Sequence, residues 1–375
     1  MALRELYRQE ALPIFQNRMY ETAQEGRSCP RGDMLLVEDL TTGLVRNAAF
    51  DATLMNYDSA YQNEQGNSGH FKKHLDDVAD LIEQKLGRTG LVEVGCGKGL
   101  FLELLLSNGA DVVGFDPTYE GSNPLVRREY FSEELGMQGE GLILRHVLEH
   151  IADPFTFLQR LAKANGGKGL IYIEVPCFDW ICRHRAWFDI FYEHVNYFRL
   201  SDFQRMFGTL VHADRGFGGQ YLRIIGDLAT LRAPEHDASD AVNFPTDFTQ
   251  RLEVETASEH GPCIVWGGAS KGVIFSLLRE RAGNPVERVI DINPAKQGKF
   301  LAATGLRLHS PSGVSFEVKI ACIRALDKDF LPQAAPAVAQ TAGSGRIRPR
   351  SRCFLAQGRR FSAQRTDLSS RFRSV

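Results

Sequence analysis

Short apolar runs alternate with helix-period stretches through the middle of the chain. Leu91-Val92-Glu93-Val94 is a mostly apolar, partly β-branched run that breaks into Gly95, Gly97 and Gly99. Leu100, Phe101, Leu104 and Leu105 then recur at helical spacing. Upstream, Phe71, Leu75, Val78, Leu81 and Ile82 predict an amphipathic helix from His70 to Leu86. Downstream, residues 111–116 and 141–146 are apolar runs ending in Asp116 and His146. Asp153-Pro154 opens a helix carrying Phe155, Leu158 and Leu161, with the proline in its tolerated first turn. Residues 169–175 form another run, stopped by Pro176, and two more strands are expected near 209–212 and 220–225. Ser201-Asp202-Phe203 predicts the cap of a short helix ending at Phe207. The alternation predicts an α/β fold: a doubly wound, mostly parallel sheet with its ligands at the carboxyl ends of the strands. Glu93, Asp116, His146, His150 and Glu174 all fall at or near such ends.

The flanks read differently. Residues 1–28 show no clear period, and Pro13 interrupts any helix over Leu3 to Leu12. Turns at 29–33 and 41–43, around Met34 to Val37 and Leu44-Val45, predict a small cap built on one or two hairpins. A tyrosine-bearing loop, Tyr57 to Tyr61, follows. Beyond the central region, 229–260 reads as a linker or helical connection. Residues 263–278 repeat the strand–glycine–helix plan through Gly267, Gly268 and Gly272, with Val289 to Asp291 as its second strand. From Leu331 to Val375 there are nine arginines, no lysine and one acid, Asp367, which is either a disordered basic tail or a foreign reading frame. The expected organisation is a cap region at 1–69, a central domain at 70–228, a linker at 229–260, a smaller α/β domain at 261–325 and a basic tail at 326–375.

Composition narrows the partners. A net charge of −2 offers no basic field for nucleic acid. No run reaches the length of a membrane span and the N-terminus lacks a signal-peptide core, so the expected setting is cytoplasmic, without membrane partners. The seven cysteines form no C-x-x-C pair, which argues against a disulfide framework and a structural zinc site; no metal is expected.

The glycine turn carries the first chemistry. Strand, glycine turn and helix let a backbone approach an adenosine-type ligand without Cβ obstruction. Asp116 lies 21 residues after Gly95, close to the offset at which a carboxylate meets ribose hydroxyls, although an acid that merely ends a strand is the alternative. The spacing E-x-G-x-G-x-G resembles motif I of the class I S-adenosylmethionine-dependent methyltransferases.

A wider set of stretches resembles the bacterial sugar C-methyltransferase family: Phe50-Asp51, Val92 to Gly99, Gly114 to Asp116, His146-Val-Leu-Glu-His150, Glu193-His-Val-Asn-Tyr-Phe198, Trp266 to Gly272 and Asp291 to Phe300. The resemblance spans about residues 30 to 310. It implies a Rossmann-like methyltransferase domain with S-adenosylmethionine held by Glu93, Gly95, Gly97, Gly99 and Asp116. It also implies methyl transfer to carbon of a nucleotide-linked keto sugar, a small-molecule substrate. His194 would be the base, Glu193 would orient it and His150 would face the enolate oxygen. Zinc-binding cysteines of the family's N-terminal region are missing here apart from Cys29, and Phe191 and Tyr192 precede the Glu-His pair where relatives often carry a tyrosine. Lys271 meets a substrate diphosphate or is simply solvated. The alternatives are an O- or N-methyltransferase of another saccharide or metabolite, and a non-catalytic binding protein.

Overall fold

The computed structural model describes residues 2–55, 68–250, 252 and 263–313. The Tyr57 to Tyr61 loop, part of the expected linker, the end of the 261–325 domain and the basic tail lie outside them.

At the N-terminus, β1 (Leu3–Pro13), α1 (Ala23–Arg27), β2 (Arg31–Asp39) and β3 (Val45–Asn47) build a three-stranded antiparallel sheet in the order β1-β2-β3. The segment from Leu3 to Leu12 is therefore a strand rather than an interrupted helix. Register shifts against β2 between Glu5 and Tyr7 and between Gln9 and Leu12 break its alternation, so no clean two-residue period shows in the sequence.

The central region supplies α2 (Gly69–Leu86), β4 (Leu91–Val94), α3 (Leu100–Ser107), β5 (Val112–Phe115), β6 (Val126–Arg127), β7 (Gly141–Arg145), α4 (Pro154–Ala164), β8 (Leu170–Pro176), α5 (Phe178–His184), α6 (Leu200–Met206), β9 (Leu210–Gly216) and β10 (Tyr221–Asp227). These give a seven-stranded sheet, β6-β5-β4-β7-β8-β10-β9. The first five strands in that order run parallel, and β10 runs antiparallel to both β8 and β9. Successive side chains point to opposite faces. Val92, Leu142, Leu144, Ile171 and Ile173 join α4 and α6 in one core, while Leu91, Ile143 and Tyr172 join α2 and α3 in the other. The doubly wound sheet expected from the alternation is present. Strand order reverses between β4 and β7, the switch point where ligands of such sheets bind.

α6 starts one residue before the expected cap. Arg199 is its N-cap, and Asp202, at the third helical position, accepts the Arg199 backbone N–H at 2.7 Å. β6 has only two residues and offers no period to read.

β11 (Ile264–Trp266), α7 (Ser270–Arg281), β12 (Arg288–Ile290) and β13 (Leu308–His309) form a second, parallel three-stranded sheet. Its core is continuous with that of the N-terminal sheet: Leu12, Ile14, Met34, Trp187, Phe248, Val273 and Phe275 belong to one buried cluster. The linker contributes too, since Val242 donates its N–H to the buried Glu38 carboxylate at 3.0 Å and Phe248 packs edge-on against Tyr7. Among the described residues, no helix is long and apolar enough to cross a membrane.

Candidate active site

Two groups of side chains meet at the carboxyl ends of β4, β5, β7 and β8. The first surrounds the glycine turn. Gly95, Gly97 and Gly99 all adopt positive φ, between 55° and 79°, which a residue with a Cβ adopts only under strain. The Gly97 N–H donates to Asp116 Oδ2 at 2.8 Å, fastening the turn to the end of β5. Thr118 donates its backbone N–H and its hydroxyl to Asp116 Oδ1. Asp116 thus holds the turn, and Oδ2 keeps room for a further donor such as a ribose hydroxyl. A Cβ at Gly97 would meet nothing within 4 Å, so that side of the turn is open.

Glu93 is 3 % exposed and its Oε2 has no hydrogen-bond partner. Burial pushes its carboxyl up to about 7; Arg145 partly offsets this and Asp116 adds to it. A buried carboxyl with one oxygen unpartnered beside an open glycine turn suits a ligand that brings a positive charge and hydrogen-bond donors.

The second group lies past β7. His146, at φ 53°, turns the chain sharply out of the strand. Its Nε2 lies 2.9 Å from Glu174 Oε1 and its Nδ1 3.3 Å from Glu149 Oε1. Burial alone would lower the His146 pKa, but these two carboxylates raise it to about 9, so its ring is cationic at neutral pH. Glu174 is a hub: its carboxylate also accepts Arg145, His74 and the Tyr172 hydroxyl. Burial opposes its ionisation, yet Arg145, His146 and His74 hold it well below the usual carboxylate range.

The segment 193–198 folds over this turn. The Val195 and Asn196 N–H groups both donate to the Glu149 carbonyl, and Val195 and Tyr197 pair with Asn47 and Val45 of β3. His150 and His194 consequently face each other, ring centroids 5.0 Å apart. His150 Nδ1 lies 2.8 Å from the Glu193 carbonyl oxygen, to which it donates; in the neutral ring Nε2 then carries the lone pair. His194 is 9 % exposed, rests on Phe191 at 4.0 Å and leaves its buried Nδ1 without a partner. Burial and the neighbouring His150, His146 and Lys271 hold its pKa well below the ordinary histidine value. The Glu193 carboxylate accepts the Gln16 backbone N–H at 2.6 Å, which ties this segment to the N-terminal region. Lys271, from the second glycine turn, pairs with Asp189 at 2.8 Å and with Gln220.

Residues 68–210 match the model of a methyltransferase domain family. The matched segment is under half of the chain and contains the glycine turn, Asp116 and His150. The open glycine turn, Asp116 and the orphaned Glu93 oxygen fit a ligand that brings ribose hydroxyls and a positive charge. The chain is 27 % identical to the C-methyltransferase NovU of Streptomyces niveus over 204 residues, 48 % of each protein. It is 34 % identical over 94 residues to a ubiquinone biosynthesis O-methyltransferase of Ruegeria sp. (strain TM1040), covering 20 % of this chain and 38 % of that one. The matches thus span half or less of these relatives' length. A solved 1,6-didemethyltoxoflavin-N1-methyltransferase of Burkholderia thailandensis aligns at TM-score 0.33 and 17 % identity, over 41 % of this chain and 77 % of that one.

All the expected site residues lie at this end of the sheet, in two adjoining sets. Sequence reasoning missed Glu149, which it quoted without a role, and the buried Glu174–Arg145–His74 hub. The available signal was charge: three ionisable residues in five, from His146 to His150, directly after a buried strand.

Proposed function

We propose that the protein transfers the methyl of S-adenosylmethionine to a small-molecule acceptor bound against His150 and His194. The observation that carries this reading is the convergence of the open glycine turn and the histidine pair at the switch point between β4 and β7. S-adenosylmethionine supplies an activated methyl on a sulfonium. Gly95, Gly97, Gly99 and Asp116 bind it, and Glu93 faces its positive charge.

For the acceptor, the preferred reading is carbon methylation of a nucleotide-linked keto sugar, supported by the similarity to NovU. His194 takes the proton from the carbon beside the ketone. Its Nδ1 is unpartnered and available for that, while His150 across the cleft would lie near the enolate oxygen. Glu193 acts through its backbone carbonyl, which orients His150, and through Gln16. Cysteines that are free wherever they are described fit a reducing cytoplasmic setting. The second reading is methyl transfer to an acceptor oxygen. It is favoured by the His150 Nε2 lone pair, which accepts rather than donates in the neutral ring.

Incubation with the cofactor and a panel of keto sugars, followed by mass-spectrometric location of the added methyl, separates the two. His194→Ala should keep S-adenosylhomocysteine binding and lose at least ~100-fold in turnover, the usual contribution of a positioned base. Undiminished turnover in that variant removes His194 from the chemistry.

A further inference from the structure

Glu149, His150 and His194 each place one potential ligand atom within 4.8 Å of the other two. We propose that these three side chains form a binding site for a divalent first-row cation of the zinc type. The inference rests on reading this cleft as the acceptor site and belongs to the oxygen-acceptor reading, in which His194 is a ligand and not the base.

Each donor is prepared in a different way. Glu149 is 1 % exposed, and its Oε2 is buried without a hydrogen-bond partner while Oε1 is held by His146. That is an outer-sphere partner of the kind that fixes a ligating carboxylate. His150 has Nδ1 engaged by the Glu193 carbonyl, which leaves Nε2 to ligate, the arrangement of most metal-bound histidines. His194 has its buried Nδ1 unpartnered. An unpartnered carboxylate oxygen and an unpartnered imidazole nitrogen, both buried, carry a desolvation cost that nothing in the protein offsets. A cation shared between them would offset it.

Two imidazoles and one carboxylate leave open positions on such an ion, as in catalytic rather than structural sites. Ligands at about 2.1 Å in a tetrahedron stand roughly 3.4 Å apart, so the cluster must contract by no more than about 1.4 Å to close on an ion. The surrounding charges are mixed, with the cationic His146 and Lys271 each engaged by carboxylates of their own. Glu149 and Glu193 lie on the same turn and segment as the histidines, His146 is engaged by Glu149 and Glu174, and Lys271 is engaged by Asp189.

The consequence for the chemistry is specific. With a cation bound, the His194 lone pair is committed and cannot take a proton. The ion instead lowers the pKa of an acceptor hydroxyl beside it. As the methyl transfers, the C–S bond of the sulfonium breaks with its electron pair going to sulfur, a C–O bond forms and the hydroxyl proton passes to solvent. A bound ion thus favours the oxygen-acceptor reading.

The test is calorimetric titration of the metal-stripped full chain with Zn²⁺ alone, with S-adenosylhomocysteine binding measured on the same samples. The expected result is one equivalent bound by the wild type. Glu149→Gln and His150→Ala should weaken uptake by at least ~100-fold, more than the loss of an outer partner costs, with S-adenosylhomocysteine affinity unchanged. Co²⁺ added to the wild type should give d–d absorption bands of nitrogen and oxygen ligation, which needs no variant to fold. No Zn²⁺ uptake, no Co²⁺ bands, or uptake undiminished in both variants overturns the proposal and leaves His194 free to act as the base. Loss of S-adenosylhomocysteine binding in the wild type would instead count against the methyltransferase reading itself.

Discussion

The molecule contains the same construction twice, and the two copies use their glycines differently. In both, a strand runs into a glycine turn and a helix, and an acid at the end of the next strand accepts a turn glycine's N–H. Gly97 donates to Asp116 Oδ2 at 2.8 Å, and Gly268 donates to Asp291 Oδ2 at 2.8 Å. The glycines nevertheless serve different needs. A Cβ at Gly97 meets open space, whereas one at Gly268 would lie 2.0 Å from a Leu308 methyl and one at Gly272 would lie 1.9 Å from the Gly267 carbonyl oxygen. The first turn is open at Gly97 although a Cβ at Gly95 would lie 2.5 Å from a Val147 methyl; the second is open at Gly267 and spends Gly268 and Gly272 on close packing. The residue two positions before the first glycine differs as well: Glu93 in the first turn, Val265 in the second. A glycine-rich turn therefore says little until it is known what stands over it.

The sharpest break of this comparison is Gly272→Ala against Gly97→Ala. The new methyl at Gly272 meets backbone, which cannot rotate away, so it should cost ~2–3 kcal/mol and lower the melting temperature by several degrees. Cofactor affinity should be unchanged. Gly97→Ala meets no neighbour and should cost only about 1 kcal/mol for its positive φ. It should nonetheless weaken S-adenosylhomocysteine binding at least ~10-fold, because the methyl enters the space the cofactor backbone contacts need. Thermal melts and calorimetry on the two variants read both axes. Equal stability losses, or intact cofactor binding in Gly97→Ala, would erase the distinction.

The paired acids give a smaller contrast. Asp116→Ala and Asp291→Ala each leave a turn N–H without its partner, so both should lose ~1–3 kcal/mol of stability in denaturant titration. Only Asp116→Ala should also lose cofactor affinity, since Asp116 keeps acceptor capacity towards the ligand side. A matching affinity loss in Asp291→Ala would mean the second turn serves the cofactor as well.

The sheet, its helices and both glycine turns were legible because each is local: a run of apolar residues, a turn and a period. The side on which a turn is open was not legible. Leu308 closes the second turn at Gly268 from 40 residues downstream, and no local pattern records that approach. The same holds for β1, whose bulges mask its alternation, and for Glu149. Its neighbours His146 and His150 could be read as polar residues after a strand. Only the fold of 193–198 back over that turn brings His194 to them. Glu193 is a related case: the family resemblance implies that it orients His194, and no local pattern records that its carboxylate accepts the Gln16 backbone N–H.

The smallest expected effect tests the one side chain that the second turn lacks. Burial holds Glu93 close to half protonated at neutral pH, with a carboxyl at about 7. A cationic cofactor against that carboxyl favours its ionised form, so binding should release roughly half a proton at pH 7. The sign follows: S-adenosylmethionine affinity should rise about tenfold between pH 6 and pH 8 and level off above, as the free protein ceases to hold the proton. Calorimetry in buffers of different ionisation heat measures the proton directly. Glu93→Gln, which carries no proton to release, should flatten the profile and leave the turn in place. A proton count of zero in the wild type would place the positive end of the cofactor away from Glu93 and leave the carboxyl a buried residue of β4, no more engaged with the ligand than Val265 is in the second turn.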